Sequence, residues 1–173
     1  RGLSRLWGTD LPEIHDLMKI GSDLPVCINQ KTQHMKGFGE VLEEINTFPN
    51  LPILLVNPLK KVSTQTVFRM LKNKKNPPLS KHEQLFQAKK DWINWLLLQR
   101  NDLMEPAVKV EPVISEVLRL ISKQISVEKV SMSGSGATCF GIFENKHDCD
   151  LAMKRVRLER PDWWSVSTEI ISI

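Results

Sequence analysis

The small residues Ser133-Gly134-Ser135-Gly136, with Ala137, separate two strand-like segments, Val127 to Met132 and Thr138 to Phe143. So short a link allows a hairpin turn and excludes a parallel crossover, which needs a dozen or more residues. The segments around this pair extend the pattern. Upstream, Ile53-Leu54-Leu55-Val56 reads as a buried strand ended by Asn57-Pro58, and Ser63-Thr64 can cap a helix running to Leu71. A polar, proline-containing loop, Asn73 to Ser80, leads to a helix from about His82 to Leu98 with Trp92, Trp95 and Leu96 on its apolar side. After Asn101-Asp102 helical spacing continues through Val113, Val117, Leu118 and Ile121. Downstream of the hairpin, His147 to Leu158 is an amphipathic helix and Ser165 to Ile173 a closing strand. From residue 51 the order is therefore strand, helices, strand, strand, helix, strand. An α+β fold accommodates it: a ferredoxin-like antiparallel sheet with helices on one face.

The first fifty residues read differently. Leu3, Leu6 and Trp7 recur at helical spacing, yet no capping residue precedes them and the chain opens on Arg1 rather than Met, which predicts a fragment. A second helix is expected after Thr9 or Asp10 as cap, with Leu11, Ile14, Leu17 and Met18 on its apolar face and Gly21 at its end. Val26-Cys27-Ile28 reads as a short strand with Asp23 just before it. Gln33 to Phe38 is extended, turns at Gly37-Phe38-Gly39-Glu40 and continues to Ile45; Asn46 to Pro52 is turn-rich and marks a boundary.

Composition narrows the function classes. With 41% hydrophobic and 25% charged residues the chain is of ordinary globular type. No apolar run approaches the roughly 20 residues of a membrane span, and no signal peptide opens it, so a soluble, cytoplasmic protein is expected. Cys27, Cys139 and Cys149 lack metal-ligand spacing and an activating base, which predicts reduced, non-catalytic thiols and no metal ligands in this chain. The net charge of +4 gathers at Lys60-Lys61 and at Lys72, Lys74 and Lys75. No aromatics interleave with these lysines, so a solvated loop is expected rather than a nucleic-acid surface, with attraction of a polyanionic small molecule as the second reading. The isolated histidines suit surface positions.

The hairpin link itself has two readings. Its glycines and short hydroxyls make a flexible turn, or they let backbone N–H groups approach an anion. It is not a Walker A loop, since no Gly-Lys-[Ser/Thr] follows, and not a dinucleotide fingerprint, since Cys139 stands where the third glycine belongs.

Here several segments act together. Met132-Ser133-Gly134-Ser135-Gly136-Ala137-Thr138-Cys139-Phe140 resembles the third motif of the GHMP kinase superfamily. The form is that of the branch phosphorylating 4-diphosphocytidyl-2-C-methyl-D-erythritol. Gly21-Ser22-Asp23-Leu24-Pro25-Val26, Gly37-Phe38-Gly39-Glu40, Val56-Asn57-Pro58 with Ser63-Thr64-Gln65-Thr66-Val67-Phe68, and Asn101-Asp102-Leu103 are similar to further segments of that branch, in the same order. Gln65 departs from it, standing where some relatives carry proline.

The resemblance implies an ATP-dependent kinase of non-mevalonate isoprenoid synthesis using Mg²⁺. Asp23 is its catalytic aspartate; on its own, an Asp before Leu-Pro is more often a turn residue. Thr64 and Phe68 contact the cytidine end of the substrate, against the alternatives of a helix cap and a core Phe. Ser133, Gly134, Ser135 and Gly136 form the phosphate-proximal loop. Residues 1–50 are then the tail of the N-terminal ATP-binding domain and 51–173 the C-terminal domain, with the ATP-holding Lys and glycine/serine loop expected upstream. The partner is a small molecule, with neither nucleic acid nor membrane, and the chain alone is expected to be inactive. A GHMP kinase with a mevalonate- or homoserine-type substrate and a non-catalytic ferredoxin-like binding module are the alternatives.

Overall fold

Leu11 precedes Pro12, whose ring disfavours helical backbone on the residue before it, so the helix that follows begins only beyond Leu11. A computed structural model describes residues 2–29, 31–80, 86 and 88–171. Its contacts divide the chain into two units that part between Phe48 and Pro49.

The first unit holds helices α1 (Gly2–Trp7), α2 (Ile14–Ile20) and α3 (Leu24–Ile28) and strands β1 (Gln33–Lys36) and β2 (Val41–Glu44). Two expectations are corrected here. Neither Thr9 nor Asp10 caps the second helix: α2 starts at Ile14 behind an extended Glu13, so Leu11 lies outside it. And Val26-Cys27-Ile28 is not a strand but the body of α3, with Pro25 in the first turn, where its fixed φ suits a helix and its missing N–H costs nothing. Three apolar residues are too few to distinguish the two periods. The expected hairpin is present, pairing Gln33 with Glu44 and Lys36 with Val41, and Lys36–Glu43 and Lys31–Glu44 ion pairs brace it.

The second unit contains β3 (Leu51–Asn57), α4 (Thr64–Met70), α5 (Lys89–Leu98), α6 (Met104–Val110), α7 (Val113–Ser122), β4 (Val127–Met132), β5 (Cys139–Phe143), α8 (Lys146–Glu159) and β6 (Trp164–Ile170). The predicted helix start at His82 and the strand end at Ile173 lie outside the described residues. The sheet order is β4-β5-β3-β6 with every neighbour antiparallel, the strand arrangement of the expected ferredoxin-like fold. Leu54 and Val56 of β3, Phe143 of β5, Ile114, Val117 and Ile121 of α7, and Cys149 and Val156 of α8 form one buried core. Gly141 on β5 lets α7 lie close against the sheet: a Cβ there would stand 2.5 Å from Ile121 Cγ2. Among the described residues no helix is long and apolar enough to cross a membrane.

Candidate functional site

In the first unit the segments around Asp23 and Gly39 meet. Gly39 has φ +111°, and a Cβ on it would lie 2.1 Å from the carbonyl oxygen of Ser22, so only glycine lets this turn rest on the peptide just before Asp23. The turn also braces itself. The Glu40 carboxylate accepts the N–H of Phe38 at 2.6 Å and fills the space a side chain on Gly37 would need. Asp23 occupies the N-cap position of α3, but its carboxylate makes no capping bond. The residue is exposed, with its main-chain oxygen accepting from Cys27 at 3.3 Å. The carboxylate is therefore not spent as a turn lock.

In the second unit the loop after β4 is gripped from three elements. The register pairs Val56 with Cys139, so just past the ladder Asn57 meets Thr138, its Nδ2 donating to the Thr138 hydroxyl at 2.8 Å. Thr64, the first residue of α4, shares a 2.8 Å hydrogen bond between its hydroxyl and that of Ser135. Asn101 donates from Nδ2 to the carbonyls of Met132 at 2.9 Å and Gly134 at 2.8 Å. The loop closes on itself through Ser133 N–H to Thr138 O and Gly136 N–H to Ser133 O. Gly134 and Gly136 both have positive φ, and a Cβ on Gly136 would press Met132 Sδ at 3.0 Å and Ile114 Cδ1 at 3.1 Å.

The helix α4 resolves two alternatives left by the sequence. Ser63, not Thr64, is its cap, its hydroxyl accepting the N–H of Thr66 at 3.3 Å, so the Thr64 hydroxyl is available to the loop. Phe68 is 50% exposed and therefore no core residue. Sequence reasoning missed the loop-holding roles of Asn57 and Asn101. It had noted both residues as segment ends, and Asn at such ends is a common turn former, which hides any longer-range bond. It also missed a cleft of about 330 Å³ walled by Met70, Lys72, Asn76, Asn101, Glu105 and Lys109. Thr64 and Phe68 do not line it.

All three cysteines are free thiols, as expected. Burial pushes the Cys139 thiol up to about 12, so at neutral pH it is protonated and inert. Among the described residues no group of three or more His, Cys, Asp or Glu could hold a metal ion.

This arrangement has counterparts. Residues 83–159 match the family model described as GHMP kinases C terminal, and a solved 4-(cytidine 5'-diphospho)-2C-methyl-D-erythritol kinase superposes with a TM-score of 0.74 at 21% identity, over 97% of this chain and 60% of that one. A homoserine kinase from Cytophaga hutchinsonii gives 0.60 at 14% identity, over 86% and 50%. The matched residues are similar to the C-terminal domain of GHMP kinases. In sequence it is 42% identical over 161 residues to a 4-diphosphocytidyl-2-C-methyl-D-erythritol kinase of Dinoroseobacter shibae, covering 93% of this chain and 55% of that protein. It is 40% identical over 175 residues to the same-named kinase of Rhizobium etli, covering 99% and 58%. The chain thus spans a little over half the length of these relatives.

Proposed function

We propose that the protein to which this chain belongs is a cytoplasmic kinase that transfers the γ-phosphate of ATP to the 2-hydroxyl of 4-diphosphocytidyl-2-C-methyl-D-erythritol. Residues 1–50 are read as the tail of its ATP-binding domain and 51–173 as its C-terminal domain. Asp23 accepts the proton of the attacking hydroxyl as its oxygen bonds the γ-phosphorus and ADP leaves. Phosphoryl transfer asks little more of the protein than a base beside the nucleophile and donors around the phosphate. Mg²⁺ carried on the phosphates would neutralise part of their charge. Ser133, Gly134, Ser135 and Gly136 approach the phosphates with main-chain N–H groups and hydroxyls. Thr64 offers a hydroxyl and Phe68 a half-exposed ring to the cytidine end.

The observation that carries this reading is the 42% identity to a kinase of that name over 93% of the chain. Two local features support it: the Gly39 turn rests on the peptide just before Asp23, and the Asp23 carboxylate makes no capping bond to α3. The structural likeness extends to a homoserine kinase as well, so the fold does not choose the acceptor. The test is a phosphorylation assay of the full-length protein with each acceptor in turn and with cytidine nucleotides as competitors. Phosphorylation of the diphosphocytidyl substrate, inhibited by cytidine nucleotides, is expected. Turnover of homoserine or a mevalonate-type alcohol, indifferent to cytidine, would overturn the assignment.

A further inference from the structure

Asn101 stands between α5 and α6, and its amide makes three bonds. The Oδ1 accepts the N–H of Leu103 at 3.0 Å, a local turn that starts α6. The Nδ2 bonds are different, because they reach across 31 and 33 residues to the carbonyls of Met132 and Gly134. A primary amide offers two N–H groups and an acceptor on one short, planar side chain. Aspartate has the same shape and keeps the acceptor but has no donor.

The Gly134 bond fixes more than one carbonyl. In a trans peptide the C=O and the following N–H point in opposite directions, and among the described residues the one cis bond is Gly136-Ala137. With the Gly134 carbonyl tied to Asn101, the N–H of Ser135 is held pointing away from Asn101. The Ser135 hydroxyl is held in turn by Thr64.

We propose that Asn101 is a positioning residue of the phosphate-proximal loop, setting the Gly134–Ser135 peptide so that the Ser135 N–H faces the transferring phosphate. The inference rests on the kinase reading for the identity of the anion, but the orientation of the peptide stands apart from it. A preorganised donor of this kind acts where negative charge develops, so its loss is felt in kcat more than in substrate affinity.

Asn101→Asp separates this role from the local one, since the Leu103 bond survives while both loop bonds are replaced by repulsion between the carboxylate and the two carbonyls. Two readouts are needed. In the full-length protein without nucleotide, amide hydrogen exchange at Gly136, whose N–H is bonded to the Ser133 carbonyl within the clamped loop, is expected to rise about tenfold while the amides of β5 and α7 keep their protection. In the full-length enzyme, kcat is expected to fall about 10- to 100-fold, with KM for the acceptor moving less than about threefold. Should Asn101→Asp fail to fold, Asn101→Ser, too short to reach both carbonyls, carries the same expectations. Unchanged exchange at Gly136, unchanged kcat, or a loss that appears wholly in KM would each overturn the proposal. An inactive wild-type enzyme would instead remove the kinase reading and the catalytic half of the inference with it, and exchange alone would then judge the clamp.

Discussion

The turn at Gly37–Glu40 and the loop at Ser133–Thr138 both depend on glycines with positive φ, but they are held in place differently. In the first, bracing comes mostly from within: the Glu40 carboxylate, two residues along, takes the Phe38 N–H, and the one outside surface is the Ser22 peptide against Gly39. In the second, bracing comes from Asn57, Thr64 and Asn101, as far as 81 residues away. A turn braced locally depends mostly on its own few residues. A loop braced at long range has its shape only when the sheet and its helices are assembled, so its geometry reports on the whole domain.

Substitutions can break or sharpen this contrast. The largest effect is expected at Asp23, which the first turn supports without bonding its carboxylate: Asp23→Ala should lower turnover of the full-length enzyme about a thousandfold while leaving thermal unfolding unchanged, as kinetics and calorimetry will show. A variant with wild-type turnover would strip Asp23 of its role. Next is Gly39→Ala, which drives a Cβ into the Ser22 carbonyl at a disfavoured φ. It should cost about 3 kcal/mol in denaturant unfolding, and because the contact lies next to Asp23, activity should fall too. The two glycines of the second loop should then separate. Gly136→Ala, against Met132 and Ile114, is expected to cost about 2 kcal/mol, whereas Gly134→Ala, which meets nothing within 4 Å, should cost only the roughly 1 kcal/mol of the left-handed backbone. Equal losses at the two positions would show that crowding beneath Gly136 is not what holds the loop. The smallest effect belongs to Thr64→Val. The bond to Ser135 is exposed, so stability should drop by less than about 1 kcal/mol, while affinity for cytidine nucleotides weakens measurably by calorimetric titration. Unchanged affinity would take Thr64 out of the binding site.

Much of the fold was readable along the chain because its signals are local. Ser63 before an apolar-periodic run marked α4, and its hydroxyl does cap it. Strand-like segments either side of a Ser-Gly-Ser-Gly link marked β4 and β5, which pair antiparallel. The strand and helix order from residue 51 led to the sheet arrangement found. The misreadings share one cause. Val26-Cys27-Ile28 is apolar enough for either element, and Pro25 decided for a helix by seeding its first turn. At the second helix, the restriction Pro12 places on Leu11 outweighed two good capping residues.

Residue pattern alone therefore gave the order of elements from residue 51 and the position of the hairpin, since caps, turns and hydrophobic period act within a few neighbours, whereas the candidate residues Asp23, Thr64, Phe68 and Ser133 to Gly136 came from the family resemblance. Which carbonyls Asn101 reaches, which hydroxyl Thr64 meets, and that Phe68 stays at the surface were decided by assembly. Those partners lie far apart in sequence, and the register of β3 against β5, together with the helices packed on that sheet, brings them within hydrogen-bonding distance.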